Sequence, residues 1–142
     1  MSALFQLFMR LHVSVYRATG GKLGGNLAGN KILLLTTIGN KTGQPRTVPL
    51  VYFEDDGKTY IVASAGGAPQ HPAWYKNLSA KPDVTIELGA KHLRAKAVTT
   101  EKAERDPVFE KIKKKMTQFA GYEKKAQGRV IPIVRLDTLG PA

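Results

Sequence analysis

A series of short β-rich runs separated by turn signals is the feature that most constrains the fold. EDDGK (54–58) carries the Asp-Gly signal of a tight hairpin, and GAKH (89–92) joins two later runs in the same way. Hairpin connections make neighbouring strands antiparallel, so the pattern predicts an α+β domain: a closed or partly closed barrel of about six mostly antiparallel strands. The runs are KILLLTTI (31–38), TVPLVYF (47–53), TYIVAS (59–64), DVTIEL (83–88), LRAKAVT (93–99) and RVIPIVRL (129–136).

About two or three helices are expected outside these strands. Pro72 begins a short helix, PAWYKNLSA (72–80), because proline suits the first helical turn. Asp106 and Pro107 are interpreted as the cap and first turn of another helix. The apolar face of that helix carries Phe109, Ile112, Met116 and Phe119.

Residues 1–19 are predicted to form an N-terminal amphipathic helix, followed by a flexible glycine-rich linker at 20–30. The favoured interpretation is a helix packed on its own domain or on a partner subunit. The alternative is reversible contact with a membrane surface. The polar stripe consists of Gln6, Arg10, Ser14 and Arg17, and the apolar face of Leu4, Leu7, Phe8, Leu11 and Val15.

The composition limits the classes of partner and chemistry that the chain can have. The chain has 142 residues, enough for one domain with a single core. Its 22 Lys and Arg against 11 Asp and Glu leave a net charge of +11, which predicts an anionic partner: nucleic acid, an acidic membrane or a phosphorylated cofactor. The lack of cysteine removes thiolate chemistry and suits the cytoplasm. His12, His71 and His92 are too far apart in the sequence to predict a metal site.

GNKTGQPRTVPL (39–50) places a basic turn between two apolar strands. Gly39 and Gly43 permit positive φ and expose backbone amides. Lys41 supplies a mobile charge, and Arg46 supplies a rigid fork suited to phosphate or carboxylate. The segment is interpreted as an anion-binding turn, although it is neither a P-loop nor a dinucleotide fingerprint. The alternative is an ordinary exposed basic turn.

ASAGGAPQHPAWYKNL (63–78) is a second candidate ligand site. Two glycines follow a buried strand, and the helix that begins at Pro72 offers unpaired amides and a positive dipole end. Trp74 and Tyr75 lie in its first turn, where they could flank a flat heterocycle. The alternative for Trp74 is an ordinary place in the core.

Three stretches together carry a resemblance: LLLTTIGNKTGQPRTVPL (33–50), AS-x-GG with HPAWYKNL (63–78), and R-x-IPIV (129–134). They resemble the deazaflavin-dependent nitroreductase family, small split β-barrel proteins that use coenzyme F420. The resemblance runs from about Ile32 to Leu136 and leaves out the N-terminal helix. It implies one deazaflavin-binding split-barrel domain over 1–142. It also implies an F420H2-dependent reductase that transfers a hydride to quinones, nitroaromatics or activated enones.

The resemblance also implies residue roles. The cofactor's phosphate and glutamate tail would be held by the basic turn, at Asn40, Lys41, Thr42, Gly43 and Arg46. The backbone along the cofactor would be that of Thr47, Val48, Pro49, Leu50 and Val51. The deazaflavin head would be lined by Ser64, Ala65, Trp74, Tyr75 and Asn77, and the substrate by Tyr122 and Phe119. No catalytic side chain is implied, because the cofactor carries the hydride chemistry.

Two other classes of function compete with this reading. A nucleic-acid-binding barrel fits the net charge of +11. It is disfavoured because the aromatic residues do not interleave with basic ones on a strand face, so no nucleic-acid partner is expected. A non-catalytic carrier of deazaflavin, flavin or tetrapyrrole stays open, since no acid or base stands out as essential. The expected partner is a small-molecule electron acceptor.

Overall fold

The computed structural model describes residues 3–27 and 29–142. Helices alternate with strands only at a few points, and most strands follow one another directly. The helices are α1 (Ala3–Thr19), α2 (Ala73–Ala80), α3 (Lys102–Lys115) and α4 (Gln118–Lys125), and a 3-10 turn spans Ala65–Gly67. The strands are β1 (Asn26–Leu27), β2 (Asn30–Ile38), β3 (Pro45–Asp55), β4 (Lys58–Val62), β5 (Asp83–Leu88), β6 (Lys91–Thr99) and β7 (Ile133–Pro141).

The strands form one antiparallel sheet in the order β1-β2-β3-β4-β7-β6-β5, and β2 also pairs with β5. Strands β2 to β7 therefore form a closed ring of antiparallel pairs. Asp55 pairs with Lys58 across the predicted hairpin, whose two central residues, Asp56 and Gly57, both have positive φ as a tight primed turn requires. The predicted α+β class and antiparallel pairing are confirmed.

The closing strand lies further along the chain than predicted. The sequence pattern suggested 129–136, whereas β7 is Ile133–Pro141. Pro132 lies just before it, because β7 pairs with β4 on one side and β6 on the other, and a proline cannot donate to either neighbour. The Pro132 carbonyl instead accepts a hydrogen bond from the Ala63 amide at 2.9 Å. Residues 129–132 are thereby free to pack beside the segment that follows β4.

Two apolar clusters hold the domain together. One fills the inside of the ring, where side chains from β2, β4, β5, β6 and β7 meet Trp74 and Leu78 of α2. The other lies outside the ring beneath α3 and α4, with Phe109 and Ile112 at its centre. Alternation along β4 and β7 sends successive side chains to these two clusters, as with Tyr60 and Ile61, which explains the period-two pattern of those strands. On β2 the outward residues, Ile32 and Leu34, form a third cluster with Val13 and Tyr16 of α1.

Helix α3 begins earlier than Asp106-Pro107, the predicted start. It begins at Lys102, and the carbonyl of Glu101 accepts hydrogen bonds from the amides of Glu104 and Arg105. Strong helix formers precede the proline, and Pro107 itself is exposed within the helix. Asp106 is held by Lys102 at 2.7 Å rather than acting as a cap. The predicted apolar face is split between two helices, with Phe119 on α4.

Helix α1 packs on its own domain, as the favoured interpretation held, but not through the apolar face identified in the sequence. The residues of that face are exposed, from 42% for Val15 to 76% for Leu4. The helix packs instead through Val13 and Tyr16, on the outer side of β2 and β3. Among the described residues, no helix is long and apolar enough to cross a bilayer.

The glycine-rich segment after α1 folds into tight turns and strand β1. The Gly21 amide donates to the Tyr16 carbonyl at 2.8 Å. A Cβ on Gly21 would lie 2.7 Å from Gly89 Cα, so this glycine allows the segment to approach the β5–β6 hairpin. The segment predicted as a connector thus makes contacts of its own.

Candidate functional site

The basic turn is a compact loop between β2 and β3. The Gly39 amide donates to the Gln44 carbonyl at 2.8 Å, and the Gly43 amide donates to the Gly39 carbonyl at 2.8 Å. Gly43 has a φ of 70°, with open space where a Cβ would be. Lys41 and Arg46 are both exposed. The loop therefore presents its two cations outward from a hydrogen-bonded backbone.

Asn77 fastens this turn to helix α2. Its Oδ1 accepts a hydrogen bond from the Asn40 amide at 3.0 Å, and its Nδ2 donates to Thr37 Oγ1 at 3.1 Å. Asn77 is 9% exposed and Thr37 1%, so both contacts are sheltered from water. The side chain that the resemblance assigned to the deazaflavin head is thus engaged in holding the turn in position.

Positive charge predominates in the sequence around the turn. The first 53 residues contain no Asp or Glu. Within the part of the chain that the structure describes, neither Lys41 nor Arg46 has an ion pair or a side-chain hydrogen bond. Several other cations of the domain are paired; Arg135, for example, binds Glu104 at 2.6 Å. Two cations without an ion pair on one short turn form a donor set suited to an anionic chain.

The half of β3 next to the turn has one open edge. Residues 45–51 pair with β2, but the pairing of β3 with β4 covers only Tyr52 to Asp55. The other edge of 45–51 pairs with no strand in 3–27 or 29–142. Because β4 runs antiparallel to β3, the segment after Val62 leaves the ring beside this edge. The opening gives backbone donors and acceptors of Thr47 to Val51 a free side.

The five predicted residues of β3 have distinct side-chain environments. Val48 and Leu50 are half-buried against the inner cluster, and Val51 packs on the outer side. Thr47 Oγ1 lies 2.8 Å from Thr36 Oγ1 on β2. Pro49 faces Leu34 in the β2–β3 register. The strand is therefore fixed on both faces, and its free backbone edge is what it can offer to a ligand.

The turn Ala65–Gly67 follows β4 on the opposite side of the opening. Ala65, Gly66 and Gly67 all have positive φ, unusual for a residue with a side chain such as Ala65. The amides of Ala65 and Gly66 donate no hydrogen bond to the described residues. A Cβ on Gly67 would lie 2.7 Å from Lys125 Cβ and 2.9 Å from the Tyr122 carbonyl. The turn is thus wedged against α4 while its amides stay available.

Arg129 holds this turn in place. Its guanidinium donates to the carbonyls of Ser64 at 2.6 Å, Ala63 at 3.2 Å and Ala68 at 2.9 Å. The same guanidinium lies 2.7 Å from His71 Nδ1. Sequence reasoning included Arg129 in the R-x-IPIV motif but assigned it no role. The separation of 58 residues from His71 explains why no local pattern could reveal the contact.

The predicted aromatic residues divide between core and surface. Trp74 is 8% exposed and belongs to the inner cluster, as its alternative interpretation held. Tyr75 is half-buried, with its hydroxyl 3.1 Å from Thr99 Oγ1. Phe119 is buried in the outer cluster and packs edge-to-face on Tyr122, with ring centroids 5.6 Å apart. Of these four, Tyr75 and Tyr122 retain surface for a ligand.

A further cluster links α1 to the same strand. Arg17 binds the buried carboxylate of Glu87 through two nitrogens, at 3.0 and 2.9 Å. Its Nη2 also lies 3.4 Å from Thr47 Oγ1. The Tyr16 hydroxyl shares its one hydrogen between the carbonyls of Ile32 at 3.1 Å and Glu87 at 3.0 Å. Sequence reasoning missed this cluster, and its one local signal was an acidic residue inside the strand DVTIEL.

Comparison with known proteins identifies relatives over nearly the whole chain. The model of the F420H(2)-dependent quinone reductase family matches residues 8–138. An F420H(2)-dependent quinone reductase of Mycobacterium tuberculosis is 38% identical over 134 residues, covering 90% of this chain and 88% of the relative. The family match begins within α1, so the similarity extends further than the predicted Ile32 to Leu136.

Two solved structures are similar as well. An F420-H2 dependent reductase, FDR-A, is 38% identical with a TM-score of 0.67, covering 75% of this chain and 93% of that one. A structure described as a domain-swapped dimer is 32% identical with a TM-score of 0.70, covering 96% of this chain and 100% of that one. The predicted recognition of an F420-dependent family is confirmed. The chain belongs to the F420H2-dependent quinone reductase family, an oxidoreductase family whose cofactor is coenzyme F420.

Proposed function

We propose that this chain transfers a hydride from F420H2 to a quinone and that the basic turn holds the anionic tail of the cofactor. The observation that carries this proposal is the pair of unpaired cations, Lys41 and Arg46, on a turn that Asn77 fastens to α2. A phosphodiester followed by glutamates needs several cations in a row beside a flat apolar slot. The donor set of the turn has that chemistry.

The residues across the opening suit the rest of the cofactor. Free backbone groups of Thr47 to Val51 can run along its length, and the amides of Ala65 and Gly66 can donate to oxygens of the deazaflavin head. Tyr75 and Tyr122 are the aromatic residues with surface left to cover the ring. Bound F420H2 supplies the hydride that the quinone accepts. The chain's own work is binding, orientation and exclusion of water.

The acceptor belongs to the class of electron-poor π systems. Quinones are the proposed acceptor because the family is named for them. Nitroaromatics and activated enones accept hydride at an electron-poor centre in the same way, so they belong to the same proposal. Ser64 and Ala65 are proposed at the head, although the Ser64 carbonyl is already bound by Arg129.

Cofactor choice tests this proposal before any turnover is measured. Oxidised F420, FMN and NADPH are titrated against the protein by fluorescence. We expect saturable binding of F420 and weaker binding of the other two, because the basic turn suits a long anionic tail and the chain has neither a P-loop nor a dinucleotide fingerprint. Equal or tighter binding of FMN would overturn the assignment of the site.

We also propose that the ring of strands is a split β-barrel. The closing pair β2–β5 and the filled interior support a barrel. The unpaired edge of residues 45–51 supports the split. In this arrangement the opening of the barrel and the cofactor site are the same feature.

A second proposal concerns location: a cytoplasmic protein that rests on the inner membrane surface through α1. The observation that favours it is the exposed apolar face of α1 on a segment without a single acidic residue. Arg10, on the same helix, and Lys22, in the turn after it, would meet anionic lipid. The apolar residues of the face are Leu4, Leu7, Phe8, Leu11 and Val15.

Vesicle sedimentation tests the membrane contact. We expect binding to phosphatidylglycerol vesicles, weaker binding to phosphatidylcholine vesicles, and loss of binding in the variant Phe8→Gln/Leu11→Gln. Ser14→Gln, on the polar side of the same helix, is the matched control and should bind as the wild type does. Equal binding of the double variant and the control would contradict the proposal.

A further inference from the structure

His71 lies between the two parts of the proposed head-group site. It follows the Ala65–Gly67 turn and comes two residues before α2 begins at Ala73. Its ring is half-buried and meets the ring of Tyr75 edge-on, with centroids 5.0 Å apart. The imidazole is therefore held on one side by an aromatic residue that retains surface for a ligand.

The contact with Arg129 fixes the position of the proton on His71. Arg129 Nη1 lies 2.7 Å from His71 Nδ1. A guanidinium has only donors, so Nδ1 must be the acceptor and carries no proton. A neutral imidazole has one N–H, which is then on Nε2. Burial, then Arg129, then Lys76 lower the pKa of His71, which keeps the ring neutral at neutral pH.

The Nε2 atom is left free for another molecule. It donates no hydrogen bond to residues 3–27 or 29–142. Every fully buried side-chain nitrogen or oxygen among the described residues has a partner, so Nε2, which has none, is not fully buried. The amides of Ala65 and Gly66 are unpaired in the same way. Three donors from one short stretch thus lack acceptors.

We propose that His71 is a further binding residue of the site, whose Nε2–H donates a hydrogen bond to a carbonyl oxygen of the bound flat ligand. Arg129 is the positioning residue that holds His71 in this tautomer. The inference rests on the proposed function, because it places a deazaflavin or quinone beside the Ala65–Gly67 turn. Both molecules carry ring carbonyls, and the experiment distinguishes them.

The tautomer is tested on the ligand-free protein. Long-range ¹H–¹⁵N correlation of the His71 ring should show a protonated Nε2 and an unprotonated Nδ1. A proton on Nδ1 would overturn the inference whatever the activity of the protein. The variant Arg129→Gln should lose the single tautomer, because its amide can either donate or accept.

The ligand is tested with two variants. His71→Phe keeps an aromatic ring but has no ring nitrogen, and His71→Gln restores an N–H donor. The exposed His92 on β6 provides the control His92→Phe. Loss of a neutral hydrogen bond of about 0.5–1.5 kcal/mol should weaken binding about 2- to 12-fold. If the cofactor supplies the carbonyl, oxidised F420 alone binds His71→Phe more weakly. If the quinone supplies it, F420 affinity stays and quinone KM rises.

Either result supports the inference, and His71→Gln should recover part of the loss. The inference is overturned if His71→Phe matches the wild type in both F420 affinity and quinone KM. Failure of the proposed function looks different, since the wild type itself would then neither bind F420 nor oxidise F420H2. Circular dichroism of each variant confirms that the comparison is made between folded proteins.

Discussion

Asn77 Oδ1 accepts a hydrogen bond from the backbone amide of Asn40 at 3.0 Å, which ties helix α2 to the basic turn. The two segments are 37 residues apart in the sequence. Through this contact, the turn that carries Lys41 and Arg46 is linked to the helix that follows the Ala65–Gly67 turn.

Replacing Asn77 should affect both stability and cofactor binding. Asn77→Ala leaves the buried Thr37 hydroxyl and the Asn40 amide without their partner, at a cost of about 1–3 kcal/mol in the free energy of unfolding. Thr37→Val removes only the second contact and keeps the tie to the turn. We expect Asn77→Ala to weaken F420 binding and Thr37→Val to leave it nearly unchanged. Chemical denaturation and fluorescence titration measure the two effects.

A different outcome would reassign Asn77. If Asn77→Ala weakened F420 binding without any loss of stability, the residue would be a direct ligand, as the resemblance implied. If Asn77→Ala and Thr37→Val bound F420 with the same affinity, the hydrogen bond between Asn77 and Asn40 would have no part in cofactor binding.

Removing Arg46 should weaken binding of the cofactor's anionic tail and leave binding of its deazaflavin head unchanged. Arg46→Ala loses one charge-assisted contact, worth roughly 1.5–3 kcal/mol, so F420 affinity should fall about 10- to 150-fold. Affinity for the deazaflavin head without phosphate or glutamates should not change. Arg46→Lys should recover part of the loss, because it keeps charge but not the fork. Arg94, an exposed arginine on β6, provides the control Arg94→Ala.

The same variant has a kinetic signature. A contact to the tail is made equally before and during hydride transfer, so KM for F420H2 should rise while kcat stays close to wild type. Added salt should weaken the wild type more than Arg46→Ala, since exposed charge pairs are screened. A fall in kcat with unchanged KM would place Arg46 near the reacting ring instead.

Arg17 and Glu87 should be energetically coupled. Glu87 is buried, and Arg17→Met would leave its carboxylate without its bidentate partner. Because the Arg17 side chain is 48% exposed, water can replace part of the contact, and we expect a loss of about 1–3 kcal/mol. In Arg17→Met/Glu87→Gln the loss should be smaller than the sum of the single losses. Urea denaturation of all four proteins measures the coupling, and strict additivity would refute it.

His71 gives the domain a pH dependence of known sign. Its pKa in the folded state lies below the ordinary 6.5, chiefly because of burial and then because of Arg129 and Lys76. As the pH falls, the unfolded chain therefore takes up a proton on His71 before the folded chain does. The contribution of His71 to the free energy of unfolding is full above pH 6.5 and is lost as the pH falls through the pKa of the folded state. NMR titration of the ring should give a midpoint below 6.5, and Arg129→Gln should raise it. A wild-type midpoint above 6.5 would contradict this.

Much of this architecture was predictable because its signals are local. Alternating strands and the Asp56-Gly57 hairpin follow from side-chain period and turn chemistry, which need no tertiary information. The basic turn stood out because charges rarely interrupt apolar strands. The six longer strands were placed to within a few residues, and the largest error, at β7, came from Pro132.

The remainder depends on contacts between distant parts of the chain. Trp74 is a core residue because it fills the inside of the ring of strands. The pattern of the nine-residue helix segment 72–80 does not specify that packing. The open edge of residues 45–51 exists because β4 stops pairing with β3 at Tyr52, and no local signal marks that point. Arg129 meets His71 across 58 residues, and Arg17 meets Glu87 across 70. Such pairs become visible only when the fold is known.

Turnover with a matched pair of reductants tests the central claim most directly. F420H2 or NADPH is mixed anaerobically with a quinone and the protein, and the return of oxidised F420 absorbance or the loss of NADPH absorbance is followed over time. The account predicts rapid, protein-dependent oxidation of F420H2 only when quinone is present, with a raised KM for F420H2 in Arg46→Ala and no comparable reaction of NADPH. Quinone reduction by NADPH at an equal rate, or no protein-dependent oxidation of F420H2, would contradict it.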